Sequence, residues 1–159
     1  MNTVVKNNDL KGYRIRGILI LVGVSLIWSF FAGLSRFLNV LGGENFVLLI
    51  TPGSDYYFPS VELFLKLEMF SNFIFLILYL YLIFIFFKKD KRFPKFYIIF
   101  LLITLFFSIV EYILIPTLPL NFKMIDYNPW QELGKSIIFS LIWIFYILKS
   151  ERVKATFIN

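Results

Sequence analysis

The 159 residues predict an all-α polytopic membrane protein, with four transmembrane helices in two antiparallel hairpins and both termini in the cytoplasm. Three observations carry this expectation. Hydrophobic residues form 59% of the chain and charged residues 16%, against about 45–50% and 25% in soluble domains. The apolar residues gather in four stretches long enough for a hydrocarbon core about 30 Å thick. The sixteen Lys and Arg residues collect in alternate connecting segments. The chain is expected to form a single transmembrane domain, because spans of this length leave no room for a separate soluble unit.

The first span is placed at 17–38, after a basic arm holding Lys6, Lys11, Arg14 and Arg16. It is longer than the apolar stretch of a cleaved signal peptide, about 7–15 residues, and no small-x-small cleavage site follows. A retained helix is therefore expected. The second span, 67–87, has few polar members beyond Glu68, Ser71, Asn72 and the tyrosines. The third, 96–115, stops at Pro116 and carries Thr104, Ser108 and Glu111. The fourth has only a short apolar run and needs extension back to Pro129, giving 129–149. Pro suits the first helical position, Asn128 can cap it, and Gln131 completes a capping-box pattern. Outer loops are expected at 42–66 and 116–128, and a cytoplasmic loop at 88–95. Within the longer outer loop, Phe46 to Ile50 is expected either to form a short hairpin or to rest in the interface. Trp130, Trp143, Tyr79, Tyr81, Tyr97 and Tyr146 lie toward span ends, where amphipathic rings favour the interface.

Orientation follows from charge. The arm, the 88–95 loop (Lys88, Lys89, Lys91, Arg92, Lys95) and the tail (Lys149, Arg152, Lys154) hold twelve of the sixteen basic residues. The other side holds Arg36, Lys66, Lys123 and Lys135, together with Glu44, Asp55, Glu62, Glu68, Asp126 and Glu132. The positive-inside rule puts the basic segments in the cytoplasm. The same clumping argues against a nucleic-acid partner, since basic and aromatic residues do not interleave on one surface.

Function is less legible. With no Cys and no His, thiolate chemistry, sulfur-ligated metals and the commonest general base are excluded. No cofactor, metal or catalytic constellation stands out, and no enzymatic role is expected. The acidic outer residues lack the six or more converging oxygens that a hard cation needs. An echo links the outer loops: Tyr57-x-Pro59-x-x-Glu62-Leu63 and Tyr127-x-Pro129-x-x-Glu132-Leu133. It reads either as duplication of one hairpin or as the ordinary preference of Pro and Glu for helix starts.

The sharpest candidates are polar residues inside the spans: Arg36, Glu68, Asn72, Glu111 and Lys135. Thr104, Ser108 and Glu111 form one helical stripe, as do Ser25, Ser29, Gly33 and Arg36 on the first span; Ser136 and Ser140 lie on the fourth. The small residues of the first-span row invite close approach by another backbone. At 1.5 Å per residue from the basic ends, Asn72, Glu111 and Lys135 sit about 21–23 Å up and Arg36 and Glu68 near 28 Å. An unpaired charge at such depth costs at least about 2.5–3.5 kcal/mol. Glu111 therefore needs a partner, Lys135 by level or Arg36 by reach. Together the five form either a network that fixes helix order or an ion, proton or headgroup site open to the outside.

The closing stretch from Ser136 to Phe157, with Trp143, Tyr146, Ser150, Arg152, Val153, Lys154 and Thr156, resembles the end of the bacterial membrane family catalogued as domain of unknown function 2569. The opening Gly17-Ile-Leu-Ile-Leu-Val-Gly, the Glu68 and Asn72 pair, and Lys91-Arg92-Phe93-Pro94-Lys95 are similar to it as well. The resemblance implies a small bacterial inner-membrane protein and supplies no mechanism. From residues and resemblance together, a non-enzymatic component binding lipid or a membrane-protein partner, including a second copy, is expected; the alternative is a small ion- or proton-linked transporter or channel.

Overall fold

A computed structural model describes residues 14–42, 44–119 and 129–158. The described residues are mostly helical, with no strand among them. The helices are α1 (Ile18–Gly42), α2 (Glu44–Ile50), α3 (Pro59–Phe87), α4 (Phe93–Leu114), α5 (Pro129–Lys149) and α6 (Glu151–Thr156). Four segments are long and apolar enough to cross a membrane: Ile18–Gly42, Pro59–Phe87, Phe93–Thr117 and Trp130–Lys149. Their outward faces are apolar, with Trp28 76%, Phe84 61% and Phe106 62% exposed. Surface of that composition calls for lipid rather than water.

α1 packs along α3, and α4 along α5. Gly23 meets Phe86, Gly33 meets Leu76 and Phe37 meets Phe73, so α1 and α3 run in opposite directions. Ser108 with Ser136 and Tyr112 with Trp130 show the same for α4 and α5. Between α3 and α4 the contact is made through aromatic rings, Phe75 against Phe100 and Phe107 and Tyr79 against Phe100. The main core lies at the end carrying the 88–92 connection. There Leu19, Val22, Leu26, Leu82, Ile85, Phe86, Phe93 and Tyr97 are each 2% exposed or less. A smaller cluster at the far end joins Val61, Leu65 and Leu118 to Phe46, Leu49 and Ile50 of α2.

The basic end is closed by two local devices. α3 stops in a Schellman turn, in which the Asp90 amide donates to the Ile85 carbonyl and the Lys89 amide to that of Phe86. This turn requires a left-handed residue, and Lys89 takes it with φ 56°. The Asp90 carboxylate then accepts from the Arg92 backbone amide (2.8 Å) and from its guanidinium (2.7 Å), holding the approach to α4. After α5, Ser150 caps α6, which folds the tail back across this end. Val153 and Phe157 are buried, and the Phe157 ring stacks on Phe93 at 4.6 Å. The Arg152 guanidinium lies beside Gly17, whose φ of +62° also favours glycine.

The structure departs from the sequence expectations at several places. The 42–66 stretch is mostly helix: α1 continues to Gly42, α2 fills Glu44–Ile50, and α3 starts at Pro59 rather than 67. A hydropathy criterion stops at Glu62, Lys66 and Glu68, but a helix needs only satisfied backbone groups. Glu62 and Lys66 support the turn by an i,i+4 ion pair. Phe46 to Ile50 is accordingly a helix and not a hairpin, its last turn closed by the Thr51 hydroxyl donating to the Val47 carbonyl. α4 gives way to a 3-10 turn at Ile115–Thr117 because Pro116 has no amide to donate. Both echo segments prove to be helix starts, at Pro59 and Pro129. The proposed Asn128 cap and most of the 116–128 loop lie outside the described residues.

Candidate functional site

Above the closed end, the positions facing the middle of the four long helices change from large apolar to polar or small. Their hydroxyls are satisfied mainly within their own helices. Ser25 donates to the Val22 carbonyl, Thr104 to that of Leu101 and Ser108 to that of Thr104. Such bonds do not draw helices together; hydroxyl contacts that do cross are Ser108 to Ser136 at 3.1 Å, joining α4 to α5, and Tyr79 to Ser29 and Tyr97 to Ser25, joining α3 and α4 to α1. A cleft of about 1120 Å³ results, lined by all four long helices. Small-molecule sites are usually about 300–1,000 Å³, so this space is at the top of that range.

All five candidates, Arg36, Glu68, Asn72, Glu111 and Lys135, line this cleft, as do Ser25, Ser29, Thr104, Ser108, Ser136 and Ser140. The stripes read from helical periodicity therefore face one space. The expected pairing of Glu111 with Lys135 does not form. The Lys135 ammonium bonds Glu132 at 2.7 Å, an i,i+3 pair on its own helix with both side chains well exposed. That pairing needs little desolvation, whereas reaching Glu111 would bury the ammonium. Glu111 instead feels the charges of Glu68 and Arg36, and Glu68 that of Arg36. None of these three is ion-paired among the described residues.

Gly33 is not the tight point of α1. The Leu76 side chain stands 3.5 Å from where its Cβ would be, an ordinary contact. The close approach is at Gly23, where a Cβ would lie 2.8 Å from the Phe86 ring. Tyr79 and Tyr97, expected at the interface, turn inward. Tyr97 is 1% exposed, and both line the floor of the cleft beside Ser29 and Ser25 respectively. The signal was present, because Tyr79 stands seven residues from Asn72 and Tyr97 seven from Thr104, on the same stripes. Tyr112 and Trp130, in ring contact at 4.7 Å, stand at the mouth beside Glu132 and Lys135. Asp90, also missed, serves the loop and not the cleft. Among the described residues no group of three or more acidic, His or Cys side chains converges to hold a metal.

Apolar on its outer faces and polar along an internal cleft, this four-span helical architecture defines a class consistent with multi-pass membrane proteins. Residues 13–158 match the family described as protein of unknown function (DUF2569), and the chain belongs to that family. No curated protein and no solved structure matches it.

Proposed function

We propose that this protein is a non-enzymatic component of the bacterial inner membrane, with both termini cytoplasmic, that binds an amphipathic molecule in its internal cleft. The observation carrying this reading is the cleft itself: charged and hydroxyl side chains surround a space whose walls also include Leu26, Leu65, Phe100, Leu101 and Phe139. A ligand with polar and apolar parts matches both kinds of wall. The charge asymmetry supports the orientation, with the basic 88–92 connection and α6 at the closed end.

The closed end also favours binding over conduction. Leu19, Val22, Phe86, Phe93 and Phe157 pack beneath the cleft, and a continuous pore would have to open this core. The test is native mass spectrometry of the full chain released from mild detergent. One retained amphipathic molecule per chain is expected; a population that is wholly empty would overturn the reading. Because the chain has no cysteine, Asp55→Cys and Lys91→Cys variants in spheroplasts test orientation. Labelling of position 55 alone by an impermeant maleimide is expected, and labelling of position 91 alone would reverse it.

A further inference from the structure

Resting on that binding reading, we infer that the cleft takes the headgroup of an aminophospholipid, a lipid whose head carries both a phosphate and a primary ammonium. Among the described residues five charged side chains line the space: the Arg36 guanidinium on α1, Glu68 on α3, Glu111 on α4, and Glu132 and Lys135 on α5. Lys135 and Glu132 neutralise one another at 2.7 Å, which leaves, among the described residues, formally one cation and two anions for a ligand to satisfy. A phosphate on Arg36 makes the bidentate contact that guanidinium geometry favours. An ammonium with three N–H donors satisfies the carboxylates opposite. A purely anionic head would leave Glu68 and Glu111 unpaired, and a simple cation would leave Arg36 unpaired, whereas a head carrying both charges pairs all three.

The packing points to a lipid rather than a soluble amine. α1 packs on α3, α3 on α4 and α4 on α5, but α1 and α5, which would complete the ring, scarcely approach each other. On this inference the cleft meets the bilayer along that side, where acyl chains can remain in lipid while the head enters. Of its apolar wall residues, Leu26, Phe100 and Leu101 are buried in the core below the charged level, and the exposed Phe139 suits the upper chain segments.

The experiment reconstitutes the full chain into nanodiscs of phosphatidylglycerol containing a minor share of phosphatidylethanolamine, then counts the lipids retained on the released protein. Phosphatidylethanolamine should be enriched at least tenfold over its share of the disc. Phosphatidylcholine, whose quaternary ammonium lacks N–H donors, should be retained at least several-fold less. Soluble glycerophosphoethanolamine at matched concentration should not displace the lipid. Glu68→Gln with Glu111→Gln should abolish the enrichment, and since the lipid comparisons use the native chain, misfolding of that variant leaves the proposal testable. Retention of phosphatidylglycerol or phosphatidylcholine equal to that of phosphatidylethanolamine overturns the headgroup assignment while leaving cleft binding intact. Displacement by the soluble head overturns the lipid source. Loss of every retained amphipathic molecule overturns both this inference and the binding reading.

Discussion

Replacing Gly23 by alanine adds one methyl group where α1 meets the Phe86 ring of α3. The new Cβ would stand 2.8 Å from Phe86 Cε1, well inside the optimum of about 3.5–4.0 Å for carbon atoms. The Phe86 ring cannot easily retreat. It is 1% exposed and lies against Phe93 at 5.0 Å and Phe157 at 5.7 Å. Overpacking of this kind costs about 1–3 kcal/mol. Alanine also gains about 1 kcal/mol of helix propensity over glycine, so the single variant underreports the clash. Gly33→Ala has the same propensity gain on the same helix, but its Cβ would meet Leu76 at an ordinary 3.5 Å. The difference between the two variants isolates the packing term. At about 2–4 °C per kcal/mol for a chain of this size, Gly23→Ala should melt roughly 2–12 °C below Gly33→Ala. Intrinsic Trp fluorescence during heating in one detergent measures this. Equal melting temperatures would refute the packing of α1 on α3 described above.

Three further outcomes follow from the closed end. Lys89→Gly should stabilise the protein by about 1 kcal/mol, since it removes the cost of an L residue at φ 56°; the melting temperature should rise by about 2–4 °C. The Arg92 side chain and amide beside Asp90 hold its carboxyl at about 2, below its usual 3.8. Because the folded value lies below the unfolded one, this stabilisation is complete above about pH 5 and is lost as pH falls toward 2. The melting difference between the native chain and Asp90→Asn should therefore be largest near neutral pH and shrink on acidification. Phe157→Ala empties a site that is 5% exposed and stacked on Phe93, at about 3–5 kcal/mol, and should free α6 for rapid amide exchange read by mass spectrometry.

The sequence alone determined the helical class, the four long apolar segments and the stripes of polar residues along them. These rest on composition and on the 3.6-residue period, which are local properties of the chain. It also singled out Arg36, Glu68, Asn72, Glu111 and Lys135, because charge and amide groups in apolar runs are conspicuous. Helix ends were less legible where α3 begins, since Glu62 and Lys66 break the apolar run without breaking the helix.

Only the tertiary structure decided what those stripes face and who pairs with whom. Lys135 turns to Glu132 on its own helix and leaves Glu111 to Glu68 and Arg36, a choice governed by desolvation and by the spacing of neighbouring helices. The inward turn of Tyr97, the close contact of Gly23 with Phe86, and the return of Phe157 onto Phe93 likewise bring together residues distant in the chain. Periodicity assigns a residue to a face; the distance to the next helix, which depends on every side chain between them, determines whether that face is packed shut or opens into a cleft.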